Sequence, residues 1–133
     1  MADVLEDDVD DNLYIKRQST IESIKKIIAR AKGYARFVDR NTLYAKTLTY
    51  RMYLSYNADY VLDEKGVRPF TVKECARVQG DFDDMFKVAD DITNNQAHSF
   101  IGNAMDISST RNLLKAMFSH PVEFTEPQEP SFT

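Results

Sequence analysis

Few residues in this chain of 133 could carry covalent chemistry, and the first to weigh is Cys75, the sole thiol. A cysteine acts as a nucleophile through its thiolate, which needs an electropositive, accessible setting. Cys75 instead follows Glu74 within a stretch that reads as a helix, where a small apolar side chain packs inward. A single cysteine also excludes an internal disulfide framework and a multi-cysteine zinc site. His98 and His120 are the only histidines, so no metal is expected. The glutamates Glu22, Glu64 and Glu74 have no neighboring nucleophile and read as helix caps or solvated residues. No catalytic set is visible.

The charges are distributed unevenly. Residues 1–15 carry six acids and no base, whereas from Lys16 to Arg51 ten bases face only Glu22 and Asp39. A run of Lys and Arg can be a solvated helix face or a surface for nucleic-acid phosphates. At 43% hydrophobic and 29% charged the composition is that of one globular domain, and no apolar run is long enough to span a bilayer. The first residues are acidic where a signal peptide would be basic and then apolar, so a cytoplasmic location is expected.

The elements that position these residues follow from periodicity. Ser19-Thr-Ile-Glu22 has capping-box spacing, and Ile21, Ile24, Ile27, Ile28 and Ala31 then recur at helical intervals up to Gly33. Lys25, Lys26 and Arg30 lie on its charged face. Residues 34–38 and 47–54 are β-branched and aromatic and read as strands, the second with Leu48, Tyr50, Met52 and Leu54 on one face and Thr49, Arg51 and Tyr53 on the other. Tyr60, Val61 and Leu62 lead into a turn at Glu64, Lys65 and Gly66. Thr71-Val-Lys-Glu74 again has capping-box spacing, which predicts a helix over 72–79 with Val72, Ala76 and Val78 inward. Gly102-Asn103 suits a tight strand-to-helix passage into a C-terminal helix with an apolar face of Leu113, Leu114, Met117 and Phe118, ended by Pro121. The predicted class is α+β: short strands with an N-terminal helix, a helix over 72–79 and a C-terminal helix. Residues 121–133, with three prolines among glutamates, read as extended or disordered.

Two blocks are far more specific than any of these patterns. Residues 68–80, Arg-Pro-Phe-Thr-Val-Lys-Glu-Cys-Ala-Arg-Val-Gln-Gly, resemble the ninth conserved block of DNA cytosine-5 methyltransferases, and residues 96–105, Gln-Ala-His-Ser-Phe-Ile-Gly-Asn-Ala-Met, resemble the tenth. Two departures are visible, Asp81-Phe82 after Gln79-Gly80 and Met105-Asp106 after Gly102-Asn103. The resemblance implies that Arg68, Thr71, Glu74, Arg77 and Gln79 are scaffold positions bonding loop to helix. It implies that Asn103, with Gly102 and Ala104 beside it, contacts S-adenosylmethionine. Lys46, Thr47, Leu48 and Thr49 followed by Arg51 resemble the family's Thr-Leu recognition element, and with Arg36 and Arg40 they are the expected DNA contacts. The implied division is an acidic arm at 1–15, a target recognition region at 16–67, the two blocks with the C-terminal helix at 68–120, and the tail.

Methylating C5 of cytosine requires an extruded base, a cysteine thiolate attacking C6, a carboxylate at the ring and a methyl donor beside C5. The Pro-Cys nucleophile loop, the Gly-rich cofactor strand and the Glu-Asn-Val block that the family uses for this are all absent from the chain. The resemblance therefore points to the DNA-recognition subunit of a split methyltransferase, inert by itself. Its partners would be double-stranded DNA and a catalytic large subunit that shares S-adenosylmethionine with it, docked through the C-terminal helix or the Ile face of the first helix. The alternatives are a non-catalytic DNA-binding or regulatory protein of methyltransferase descent, an acidic-armed protein-interaction module, and a fragment of a longer single-chain enzyme.

Overall fold

The computed structural model describes residues 1–30, 35–49, 52, 58–81 and 86–119. Along these the chain forms a 3-10 turn at Asp11–Leu13, helix α1 (Gln18–Ala29), strands β1 (Arg36–Val38), β2 (Asp59–Asp63) and β3 (Gly66–Arg68), and helices α2 (Val72–Val78), α3 (Asn94–Asn103) and α4 (Ile107–Ser119). This is an α+β architecture, as the sequence predicts. No helix among the described residues is long and apolar enough to cross a membrane.

Strand β2 is central, with β1 parallel to it (Arg36 opposite Asp59) and β3 antiparallel (Val61 opposite Arg68). The β2–β3 hairpin turns because Asp63 Oδ1 accepts from the backbone N–H groups of Lys65 (2.9 Å) and Gly66 (3.1 Å). Side chains alternate across the sheet. Tyr60 and Val67 face the Ile stripe of α1, where Ile24 is fully buried. Val38 and Val61 face the other way, into a cluster with Leu5, Leu48, Phe70, Cys75 and Ile101. The acidic arm is thus stitched into the fold, with Leu5 in the core and the Ile15 N–H donating to the Val67 carbonyl at 2.8 Å.

Three local expectations are corrected. Helix α1 starts at Gln18 after Arg17 with no side-chain cap, so Ser19 and Glu22 lie inside it and their capping box does not form. Docking of Ile24 on the sheet outweighs a cap worth about 1 kcal/mol. Residues 47–49 form no strand: the Lys46 N–H is taken by the Asp59 carboxylate at 2.7 Å, and Leu48 and Met52 both turn into the core. Tyr50, Arg51, Tyr53 and Leu54 lie outside the described residues, as do Gly33 and residues 121–133. Gly102-Asn103 is not a strand-to-helix passage but the last turn of α3. That helix begins earlier because Thr93 and Gln96 make a capping box, Thr-x-x-Gln, and the turn into α4 falls at 104–106.

Helix α2 is built as its sequence dictates. Thr71 Oγ1 accepts from the Glu74 N–H (3.0 Å) and Glu74 Oε2 accepts from the Thr71 N–H (2.8 Å), a complete capping box. Its C-terminus closes when the Gly80 N–H donates to the Arg77 carbonyl and the Asp81 N–H to that of Ala76, with Gly80 at φ +91°. The inward residues are Glu74, Cys75 and Ala76, while Val72 and Val78 are half-buried.

The buried carboxylate at Glu74 has a matching cation. Arg68 donates through both terminal nitrogens to Glu74, at 2.7 and 2.8 Å, and both side chains are almost wholly enclosed, at 1% and 0% exposed. Burial alone would lower the guanidinium's proton affinity, yet the bonds to Glu74 outweigh it and hold Arg68 above its ordinary range. The Glu6 N–H also donates to Glu74 Oε1 at 2.9 Å, tying arm, strand and helix to one carboxylate. Removing that carboxylate takes both close partners from a buried guanidinium and leaves it the more distant Asp63 carboxylate, 3.6 Å from Nε. Glu74→Ala is therefore expected to cost about 3–5 kcal/mol of stability by urea denaturation; a loss under about 1 kcal/mol would show that the pair is dispensable.

Candidate functional site

Two sets of residues invite a functional reading: the segment 39–49 between β1 and β2, and the end of α3. The first is anchored by a second ion pair. Arg36 donates through Nε and a terminal nitrogen to the two oxygens of Asp59, each at 3.0 Å, across the β1–β2 register. The bonds to Asp59 raise its pKa, and the Tyr44 ring lies 4.4 Å from the guanidinium. Arg36 is thereby committed inside the chain. Leu48, at 9% exposed, belongs to the core. Arg36 thus holds an ion pair within the sheet and Leu48 packs in the core.

Their neighbors face outward. Thr47 and Thr49 are exposed and Lys46 is half-buried, its backbone held by Asp59. Arg40 is exposed and pairs with the still more exposed carboxylate of Asp7. Arg51 lies outside the described residues. Leu43 is 93% exposed and Tyr44 66% exposed, and the sequence reading passes over both. Leu43 follows Thr42 in a second Thr-Leu pair of the same segment. Lys25, Lys26 and Arg30 are also exposed on the face of α1 opposite its buried stripe.

At the end of α3, Gly102 is half-buried while Asn103 and Ala104 are exposed. Gln79 braces this end from α2, its Nε2 donating to the Ile101 carbonyl at 3.1 Å and reaching the Ala104 carbonyl at 3.4 Å. Arg77 donates to the Val4 carbonyl at 3.2 Å. Arg68, Thr71, Glu74, Arg77 and Gln79 therefore all bond strand, arm or helix end to α2. Asn103 and Ala104 are exposed at this end and offer too few groups to enclose S-adenosylmethionine.

The remaining reactive groups are structural. His98 sits between the carbonyls of Asn94 (Nδ1, 2.8 Å) and Phe70 (Nε2, 3.1 Å), joining α3 to the start of α2. Cys75 is fully buried, and desolvation followed by the adjacent Glu74 carboxylate pushes its thiol far above the usual range. No group of three or more His, Cys, Asp or Glu among the described residues could hold a metal ion.

Among the described residues a small three-stranded sheet carries the braced ends of α2 and α3. The family model of C-5 cytosine-specific DNA methylases matches residues 4–119, and the chain belongs to that family. No curated protein sequence matches it. Among solved structures it is similar to the Dnmt2 methyltransferase of S. pombe, with a TM-score of 0.73 and 16% identity over 92% of this chain and 42% of that one. It is also similar to the methyltransferase EhMeth of Entamoeba histolytica, with a TM-score of 0.65 and 14% identity over 89% of this chain and 40% of that one. The chain thus spans about two-fifths of the length of the methyltransferases whose fold it shares.

The buried thiol makes the nucleophile question testable. In the native protein at pH 8, Cys75 is expected to resist iodoacetamide and to react at once in denaturant. Rapid native alkylation, followed by mass spectrometry, would return Cys75 to the list of reactive groups.

Proposed function

We propose that this chain is the DNA-recognition portion of a C-5 cytosine DNA methyltransferase and works with a catalytic portion on a separate polypeptide. The observation that carries the reading is the family match over residues 4–119, a stretch that holds the ninth- and tenth-block resemblances and none of the catalytic motifs. The Pro-Cys loop, the Gly-rich strand and the Glu-Asn-Val block are absent from its sequence. By itself the chain transfers no methyl group.

In this reading the segment 39–49 faces duplex DNA. Arg40 and Lys46 meet phosphates, with support from Lys25 and Lys26 on α1, while Thr47, Thr49 and the exposed Leu43 stand nearer the bases. The ion pair between Arg36 and Asp59 anchors the segment, so the contacts are presented at little entropic cost. S-adenosylmethionine, bound mainly by the catalytic portion, supplies the methyl group. Asn103, held at the end of α3 by the Gln79 brace, contributes one polar edge to that pocket.

Two measurements test the reading. Mixing the chain with a catalytic polypeptide bearing the Pro-Cys loop should produce methyl transfer to duplex DNA that neither component shows alone; no gain on mixing would defeat the two-component assignment. For DNA contact, Arg40→Gln should weaken duplex binding and reduce the slope of log K against log salt by about 1, the loss of one phosphate contact. An unchanged slope would remove Arg40 from the interface.

A further inference from the structure

Large apolar side chains left exposed include Leu113, Leu114, Met117 and Phe118 on α4, and Leu43 with Tyr44 in the segment between β1 and β2. Of these, Tyr44 rests on a cation. The Arg36 guanidinium lies over one face of its ring, 4.4 Å from the centroid, and also donates to the Tyr44 carbonyl. That guanidinium is itself fixed, since both oxygens of Asp59 hold it and the Asp59 side chain is 1% exposed. The segment is pinned on either side of the ring. Asp39 Oδ1 accepts from the Asn41 N–H and the Thr42 hydroxyl, each at 2.9 Å, and the Lys46 N–H donates to Asp59 at 2.7 Å.

A ring that served only to cover the cation would bury itself in doing so. Tyr44 stays 66% exposed, so with the guanidinium against one face the other is left to solvent. Leu43, beside it and 93% exposed, adds an apolar edge. A cation on one side of an aromatic ring draws on its π electrons and makes the open side a good partner for a second, electron-rich π system. Nucleobases are such systems, and every base has a π face. In a matched duplex those faces are covered by the stack and only the base edges show in the grooves. An unpaired base that leaves the stack presents its face. The charge of the segment suits a nucleic acid, with Arg36, Arg40 and Lys46 against Asp39 alone. A patch two side chains wide is too small for a specific protein interface.

We propose that Tyr44, backed by Arg36, is a stacking platform for an unpaired nucleobase; the inference rests on the reading above that the segment 39–49 faces DNA. The contact is ring face on base face and reads no sequence. It gives the chain a preference for nucleic acid in which a base is free to leave the stack. Such a base comes either from a single strand or from an opened position in a duplex, and the chemistry of the contact is the same. Because the ring is already held by Arg36 and the segment by Asp59, little freedom is lost when the base arrives.

The test measures binding of the full chain, by fluorescence anisotropy, to three labeled DNAs of one sequence: a matched duplex, the same duplex with a central abasic site that leaves the opposite base unpaired, and the single strand. Wild type should bind at least one unpaired form about fivefold or more tighter than the matched duplex. The form preferred tells whether the base comes from an opened duplex or a single strand. Tyr44→Ala should erase the preference while leaving matched-duplex affinity within about twofold and the slope of log K against log salt unchanged, since no phosphate contact is lost. Tyr44→Phe, which keeps the ring, should retain the preference. If the Ala variant melts early, Tyr44→Leu keeps bulk against Arg36 without a π face and is read in the same way. No preference in wild type, its loss in Tyr44→Phe, or an equal fall on matched and unpaired DNA in Tyr44→Ala would overturn the inference and leave the DNA-recognition reading standing. Binding to none of the three DNAs would defeat that reading and the inference with it. Binding to unpaired forms alone would uphold the platform and remove the duplex from the reading.

Discussion

The carboxylate of Glu74 is the point on which the structure depends. It receives both terminal nitrogens of Arg68 from β3, the N–H of Thr71 that begins its own helix, and the N–H of Glu6 from the arm. A buried charge is costly unless every lone pair is met, and here strand, helix and arm each supply a donor. The arrangement explains how an acidic N-terminal stretch can be part of the fold: Glu6 is drawn in by its backbone, and its side chain then accepts from the Thr71 hydroxyl at 2.6 Å. With α2 held in this way, its far end can direct α3 and α4.

Labor is divided along the chain by two of its ion pairs. One, Arg36 with Asp59, secures the segment that carries Leu43, Tyr44, Lys46, Thr47 and Thr49. The other, Arg68 with Glu74, secures α2, whose Gln79-Gly80 end orients α3 and α4. Arg36, Asp59 and Arg68 sit on adjacent strands of one small sheet, so the outward segment and helix α2 are referenced to the same frame.

Much of this is legible in the residues. The Thr71-x-x-Glu74 cap, the Ile stripe of α1 and the order of helices and strands are local patterns, decided by side chains a few positions apart, and a family resemblance carried by residues 68–80 and 96–105 supplies the context. The places where reading fails share a cause. Ser19 and Glu22 satisfy a capping rule that the docking of Ile24 overrides. Thr47, Leu48 and Thr49 satisfy an alternation rule that the Asp59 carboxylate overrides by taking the Lys46 N–H. Gly102 suits a turn but lies within a helix that starts at a less conspicuous cap, Thr93-x-x-Gln96.

The sequence by itself determined the class of fold, the helix that holds Glu74, the absence of a nucleophilic loop from this chain and the family to which its two blocks point. Only the tertiary structure decided which cations are committed and which side chains remain outward: Arg36 and Leu48 turned inward, Leu43 and Tyr44 exposed, the α1 stripe covered and the α4 face uncovered. The reason is physical. Periodicity and capping depend on neighbors within a turn or two of chain, whereas Asp59 meets Arg36 across 23 residues and Glu6 meets Glu74 across 68, and such partners are chosen by the folded sheet.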